Sequence, residues 1–211
     1  MLNERDDLYL AYAAGLLPPA PSLVIASHAA LNGEARKEIG DYEAIAGALL
    51  EEMAPSEVAE DLRGSVMQKL DLDTPETVTV SEGDPRLPGP LRGYVGARLE
   101  DLRWRRLLPG LRDCVLPIGG GGIVRLLSVR GGAKVPAHTH PGLEMTLVLR
   151  GSYSDDTGCY GLGDLQLADD ELDHSPVPDP EAGCLCLLVT HRGPIRLTGR
   201  YMRVLNAFMR H

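Results

Sequence analysis

The chain reads as an α+β protein: a small helical bundle at the N-terminus, then an all-β sandwich or barrel. Three observations predict this. Up to residue 73, apolar residues recur at spacings of three and four, the helical period. From about Tyr94, short apolar runs alternate with Gly, Pro and Asp clusters, the pattern of a many-stranded domain. Between the two, residues 74–92 gather Pro75, Pro85, Pro88 and Pro90 with Gly83 and Gly89, which predicts an extended, rather stiff linker.

Four helices are expected in residues 1–73. Leu8, Leu10, Ala11, Tyr12 and Ala14 mark a first, closed by Gly15. Pro18, Pro19 and Pro21 then break the chain, and Ser22 is placed to cap a second helix carrying Leu23, Val24 and Ala26. Asn32-Gly33 signals a helix end, and a third helix follows with Ile39, Tyr42, Ile45, Ala46 and Leu49. Pro55-Ser56 is read as the start of a fourth, with Val58, Leu62, Val66 and Leu70 on one stripe. Such a bundle can bury only a modest core by itself. In the barrel region, residues 93–198, the clearest strands are Ile123–Val129, Glu144–Leu149, Gly163–Leu167 and Cys184–Val189. The tail, residues 199–211, could form a short amphipathic helix with Arg200, Arg203 and Arg210 on a basic face.

The charge is divided unevenly. Residues 1–73 carry 14 acidic and 5 basic side chains, which accounts for the whole net charge of −9; the remainder is balanced. A negative segment is repelled by phosphate backbones, so direct DNA binding is not expected, and a basic protein partner is. No apolar run is long enough to cross a bilayer, so no membrane association is expected. The opening Asn3-Glu4-Arg5-Asp6-Asp7 is unlike a secretory leader, which makes the cytoplasm the expected compartment. The four cysteines form no Cys-x-x-Cys pair and are read as reduced thiols.

The most informative stretch is Gly132-x5-His138-Thr139-His140-Pro141-Gly142-Leu143-Glu144-x6-Gly151. His138 and His140 are two apart, so on a strand they share one face. Glu144 follows a Pro-Gly turn that can bring it back toward them, and His174 offers a fourth ligand. Imidazoles with a carboxylate suit one divalent metal, with zinc the first choice and Fe, Mn or Ni open.

This spacing resembles the first signature motif of the cupin family at Gly132, His138, His140, Glu144 and Gly151. Gly163 and His174 keep the spacing of the second motif, while Asp169, Glu171 and Pro178 stand where Pro, Gly and Asn are usual. The resemblance implies a double-sheet β-barrel with the metal inside, here preceded by the helical bundle. The N-terminal run Leu10-Ala11-Tyr12-Ala13-Ala14-Gly15-Leu16-Leu17-Pro18, with Ser27-His28, resembles ChrR-type anti-sigma factors, in which a helical anti-sigma domain precedes a cupin-like domain. That family's N-terminal zinc site uses an early His, then His-x3-Cys-x2-Cys. Here only His28 remains, with Asn3, Asn32 and Ala35 at the other positions, so no zinc is expected in the helical domain. His28 is then expected to be an ordinary, partly exposed helix residue, the vestige of a ligand.

Cys184 and Cys186 alternate on a predicted strand and would face one side, which could be the barrel interior near the metal. A redox-sensing role is one reading, and two small apolar core residues the other. The resemblance implies an anti-sigma factor whose acidic helical domain sequesters an extracytoplasmic-function sigma factor. The metal-bearing cupin domain would sense an oxidant or small ligand, with no catalytic residues. The competing expectation is a cupin-type metal-dependent dioxygenase or isomerase that uses the helices to oligomerise.

Overall fold

The computed structural model describes residues 4–72, 83–191 and 196–198. Helices precede an antiparallel β-domain of one large and two small sheets, the α+β architecture expected. The helices are α1 (Glu4–Ala13), α2 (Pro19–Leu31), α3 (Gly33–Glu51), α4 (Leu62–Leu72) and α5 (Gly89–Val95). The strands are β1 (Arg105–Leu108), β2 (Leu111–Leu116), β3 (Ile123–Val129), β4 (His138–Thr139), β5 (Glu144–Gly151), β6 (Tyr153–Asp155), β7 (Gly158–Tyr160), β8 (Leu165–Ala168), β9 (Val177–Pro178), β10 (Cys184–Thr190) and β11 (Arg196–Leu197). The main sheet has the order β1-β2-β3-β10-β5-β8; two small sheets, β11-β4 and β7-β6-β9, accompany it.

The local chemistry moves several boundaries. Helix α2 begins at Pro19, not after Pro21, because proline is tolerated in a first turn whose N–H groups need no helical partner. Ser22 does not cap it; its hydroxyl donates to Leu17 O at 3.0 Å. Asn32 closes α2 and opens α3, accepting from Glu34 N and Ala35 N at 3.0 Å each. Helix α4 starts at Leu62 rather than at Pro55-Ser56. The Pro-rich segment is not an extended linker at its C-terminal end. Gly89–Val95 is helical, with Pro90 in the first turn and Gly96 as a left-handed cap. Leu87 and Leu91 are fully buried there. The rest of the expected linker, residues 73–82, and the expected tail helix at 199–211 lie outside the described residues.

Strands β5 and β10 are buried on both faces, which explains their nearly continuous apolar sequences. One face, with Met145, Leu147, Leu185, Leu187 and Val189, joins Tyr9, Leu23, Val24 and Ile25 of the helices in a single apolar cluster. The other, with Val148, Cys184 and Cys186, lines the barrel interior with Leu111, Val129 and Tyr153. Helix α2 therefore lies on the back of the sheet, and helices and barrel share one core. The far half of α3 and α4 take no part in it: Ile45, Leu49, Leu50, Met53, Val66, Met67 and Leu70 are all exposed.

Candidate metal centre and the helix–barrel junction

Three imidazoles converge inside the barrel. His138 and His174 sit on neighbouring segments joined by reciprocal backbone bonds, His138 N to His174 O at 3.0 Å and His174 N to His138 O at 3.1 Å. His140 follows two residues along. Ligand atoms of His138, His140 and His174 all lie within 4.8 Å of one another, and the three residues are buried. Glu144, also buried, begins β5, with its Oε2 at 3.0 Å from His140 Nδ1.

The hydrogen bonds fix which ring nitrogens are free. His138 Nδ1 donates to Pro136 O at 2.8 Å, and His174 Nδ1 to Asp155 Oδ2 at 2.9 Å. Each ring thus carries its proton on Nδ1 and turns an Nε2 lone pair inward, the usual way a protein orients metal-binding histidines. His140 Nε2 faces His174 Nε2 at 3.1 Å while its Nδ1 faces Glu144 Oε2. Both neighbours present lone pairs, and a neutral His140 has one proton for the two. His140 Nδ1 and Glu144 Oε2 are buried without a hydrogen bond. A cation at the centre removes this conflict, so the donor set fits a metal ion. Burial lowers His138 to about 4, so it is neutral at physiological pH, the form that binds metal. Burial alone would raise Asp155, but hydrogen bonds from Thr157, Gln166 and His174 outweigh it and hold the carboxylate at about 2.

The departures from the second motif have a local explanation. Asp169 accepts from Glu171 N at 3.0 Å and Leu172 N at 3.2 Å, so an Asx turn replaces the usual proline. Pro178 lies in β9 opposite Tyr153. Gly151 is needed where it stands: its φ is +69°, and a Cβ would meet Gly183 O at 1.9 Å.

Cys184 and Cys186 line the same cavity as the imidazoles. The neighbouring Cys184 thiol, and then burial, pushes Cys186 well up and keeps it a thiol.

His28 differs from its expectation of partial exposure. It is buried at 2% exposure. Its Nδ1 donates to Gly163 O at 2.7 Å, and its Nε2 accepts from Tyr9 OH at 2.7 Å. Both ring nitrogens are engaged. Burial lowers its pKa, in keeping with a neutral ring, and burial also raises Tyr9 to about 12. The helical sequence pattern could not show this, because the residue opposite His28 comes from the barrel, 135 positions away. Asp155, the partner of His174, was likewise missed: nothing in a hairpin Asp announces a histidine 19 residues on.

Residues 93–195 match the ChrR cupin-like domain family. The anti-sigma-E factor ChrR of Cereibacter sphaeroides is 45% identical over 208 residues, covering 99% of this chain and 97% of its own length. This chain belongs to the ChrR family. A crystal structure of Rhodobacter sphaeroides SigE in complex with the anti-sigma ChrR matches it with a TM-score of 0.78 and 48% identity. That match covers 88% of this chain and 96% of that one. Set against the ChrR-type zinc pattern, the three remaining positions in the helices have other uses here. Asn32 caps α3, Ala35 is buried beneath it, and His28 ties the helices to the barrel.

Proposed function

We propose that this chain is an anti-sigma factor that sequesters an extracytoplasmic-function sigma factor through its acidic helical segment. The observation that carries this reading is 45% identity over 99% of the chain to the anti-sigma-E factor ChrR, together with the match to a ChrR solved in complex with SigE. Two physical features support it. The net charge of −9 is confined to residues 1–73, suiting a partner with basic surfaces. The exposed apolar side chains of α3 and α4 offer the buried centre that a stable interface needs. Among the described residues no helix is long and apolar enough to cross a membrane; the cytoplasm is the compartment this reading assigns.

In the same reading the barrel holds one divalent metal, zinc by preference, through His138, His140 and His174; Glu144, the expected fourth ligand, stands instead beside His140 Nδ1, where its carboxylate orients that ring. When bound, the metal would cross-link the His138–His140 segment and the His174 segment. Cys184 and Cys186, beside it, are the thiols through which an oxidant could act on the barrel. Because α2 packs on the back of the same sheet, a change in the barrel can alter how the helices are held, giving two states of different sigma affinity.

The test uses the full-length chain with purified extracytoplasmic-function sigma factors, SigE among them. A stoichiometric complex on size exclusion and loss of sigma-dependent transcription in vitro are expected; no complex with any of them overturns the reading. The cavity beside the imidazoles favours a second reading, a metal-dependent oxygenase or isomerase, for which oxygen uptake by iron-loaded protein is the measurement.

A further inference from the structure

Two buried polar atoms in the barrel cavity have no hydrogen-bond partner. The buried Nε of Arg125, on β3, makes no hydrogen bond among the described residues, and neither does Oγ1 of Thr190, on β10, which is 6% exposed. Both line the cavity that contains the imidazoles. The strand register brings them together. Thr190 lies opposite Glu144 on one side and Ile123 on the other, while Arg125 lies opposite Leu188. Arg125 and Thr190 are therefore diagonal neighbours on the inner face of the sheet. Glu144, Thr190 and Arg125 form a polar track leading away from the metal centre.

The carboxylates around this track are already engaged. Asp113 takes both of its hydrogen bonds from Arg105, at 3.1 and 2.9 Å. Glu144 accepts from Thr146 at 3.1 Å and turns its other oxygen to His140. Asp155 is held by His174, Thr157 and Gln166. Arg125 is half-buried, and its guanidinium meets no anion among the described residues; a bound divalent metal would add to the positive excess.

We propose that the cavity is a receptor site for a small monocarboxylate. The carboxylate is held by the Arg125 guanidinium and the Thr190 hydroxyl, and its short apolar tail lies against Leu127, Leu188 and Val135. The cavity volume of about 100 Å³ limits the tail to a few carbons. This rests on the proposed sensing role of the barrel and gives a chemical class to the small ligand that the resemblance implies it senses. It depends on the metal reading only for the added positive charge.

The experiment measures binding of butyrate, butyramide and inorganic phosphate to the full-length protein as purified, by calorimetry and thermal shift, with metal content determined on the same samples. Saturable binding of butyrate, with butyramide and phosphate at least tenfold weaker, is expected. Arg125→Gln should weaken butyrate by about ten- to a hundredfold, Arg125→Lys less, and Thr190→Val several-fold, all at unchanged metal content. Equal binding of butyrate and butyramide, tighter binding of phosphate, or an unaltered response in Arg125→Gln overturns the assignment. If Arg125→Gln does not fold, Thr190→Val decides, and an unchanged butyrate affinity in that variant overturns it. The metal reading fails separately: protein that never carries metal yet loses butyrate on Arg125→Gln sinks the metal centre and leaves the carboxylate site standing.

Discussion

His28 on α2 and Gly163 in the loop before β8 are joined by a 2.7 Å hydrogen bond that ties the helical segment to the barrel. The contact is close on both sides. Gly163 has a φ of +84°, and a Cβ there would come within 3.2 Å of the Leu31 backbone oxygen. Replacing His28 by Ala leaves Tyr9 OH and Gly163 O buried without partners, at a cost of about 2–3 kcal/mol. Urea unfolding of the full chain should show this as a lower midpoint. Helix circular dichroism and fluorescence of Trp104, the single tryptophan, should move together because helices and barrel share one core. Helix loss well before the tryptophan transition would show that the two parts unfold independently.

Acid should destabilise the metal-free protein through its buried neutral histidines. Burial lowers both His28 and His138 from the ordinary 6.5, His138 to about 4. Below about 6.5 the unfolded chain takes up protons that these folded rings refuse, so stability falls as pH falls. The His138 contribution is fully present above about 6.5, declines down to about 4, and amounts to ~3 kcal/mol at most. Midpoints measured from pH 7.5 to 4 on chelator-treated protein check the sign; a midpoint that rises on acidification contradicts it. Metal-loaded protein should fall more steeply, because protons also compete for the ligands.

Asp155 orients His174 and does not itself ligate in the arrangement described. Asp155→Asn keeps the shape but removes the charge that holds the His174 proton on Nδ1. Metal affinity should drop about 10- to 100-fold, by chelator competition, while His138→Ala should abolish stoichiometric metal. Undiminished affinity in Asp155→Asn would show that Gln166 and Thr157 suffice to hold the site.

The barrel site was legible in the sequence because its spacing is geometric. Alternate residues on a strand share a face, so His138 and His140 had to point together, while the resemblance to the second cupin motif pointed to His174. What escaped were features set by contacts across the fold. Helix α2 buries residues toward α1, α3, α5 and the sheet at once, so its pattern gives no preferred side and His28 looked incidental. The segment around Pro88 and Pro90 looked like a linker because proline usually breaks helices. Placed in the first turn, the same residue is compatible with α5. Asp155 and the Arg125–Thr190 pair depend on strand pairing, which local patterning does not specify.

The outer half of α3 should behave as a binding surface rather than as part of the core. Helix α3 buries only Ala35 and Ile39, both near its start, yet it continues to Glu51 with Leu49 63% and Leu50 67% exposed. On α4, Leu70 is also 63% exposed. Side chains this exposed add little to the fold itself, so Leu49→Ser and Leu70→Ser should shift folding stability by less than about 0.5 kcal/mol. If these residues form the apolar centre of the sigma interface, each change should weaken the complex at least about tenfold, the loss expected of a buried anchor. Calorimetric titration with the sigma factor, paired with thermal midpoints of the free variants, separates the two effects. Unaltered affinity in both variants, at unaltered midpoints, would move the interface away from this surface.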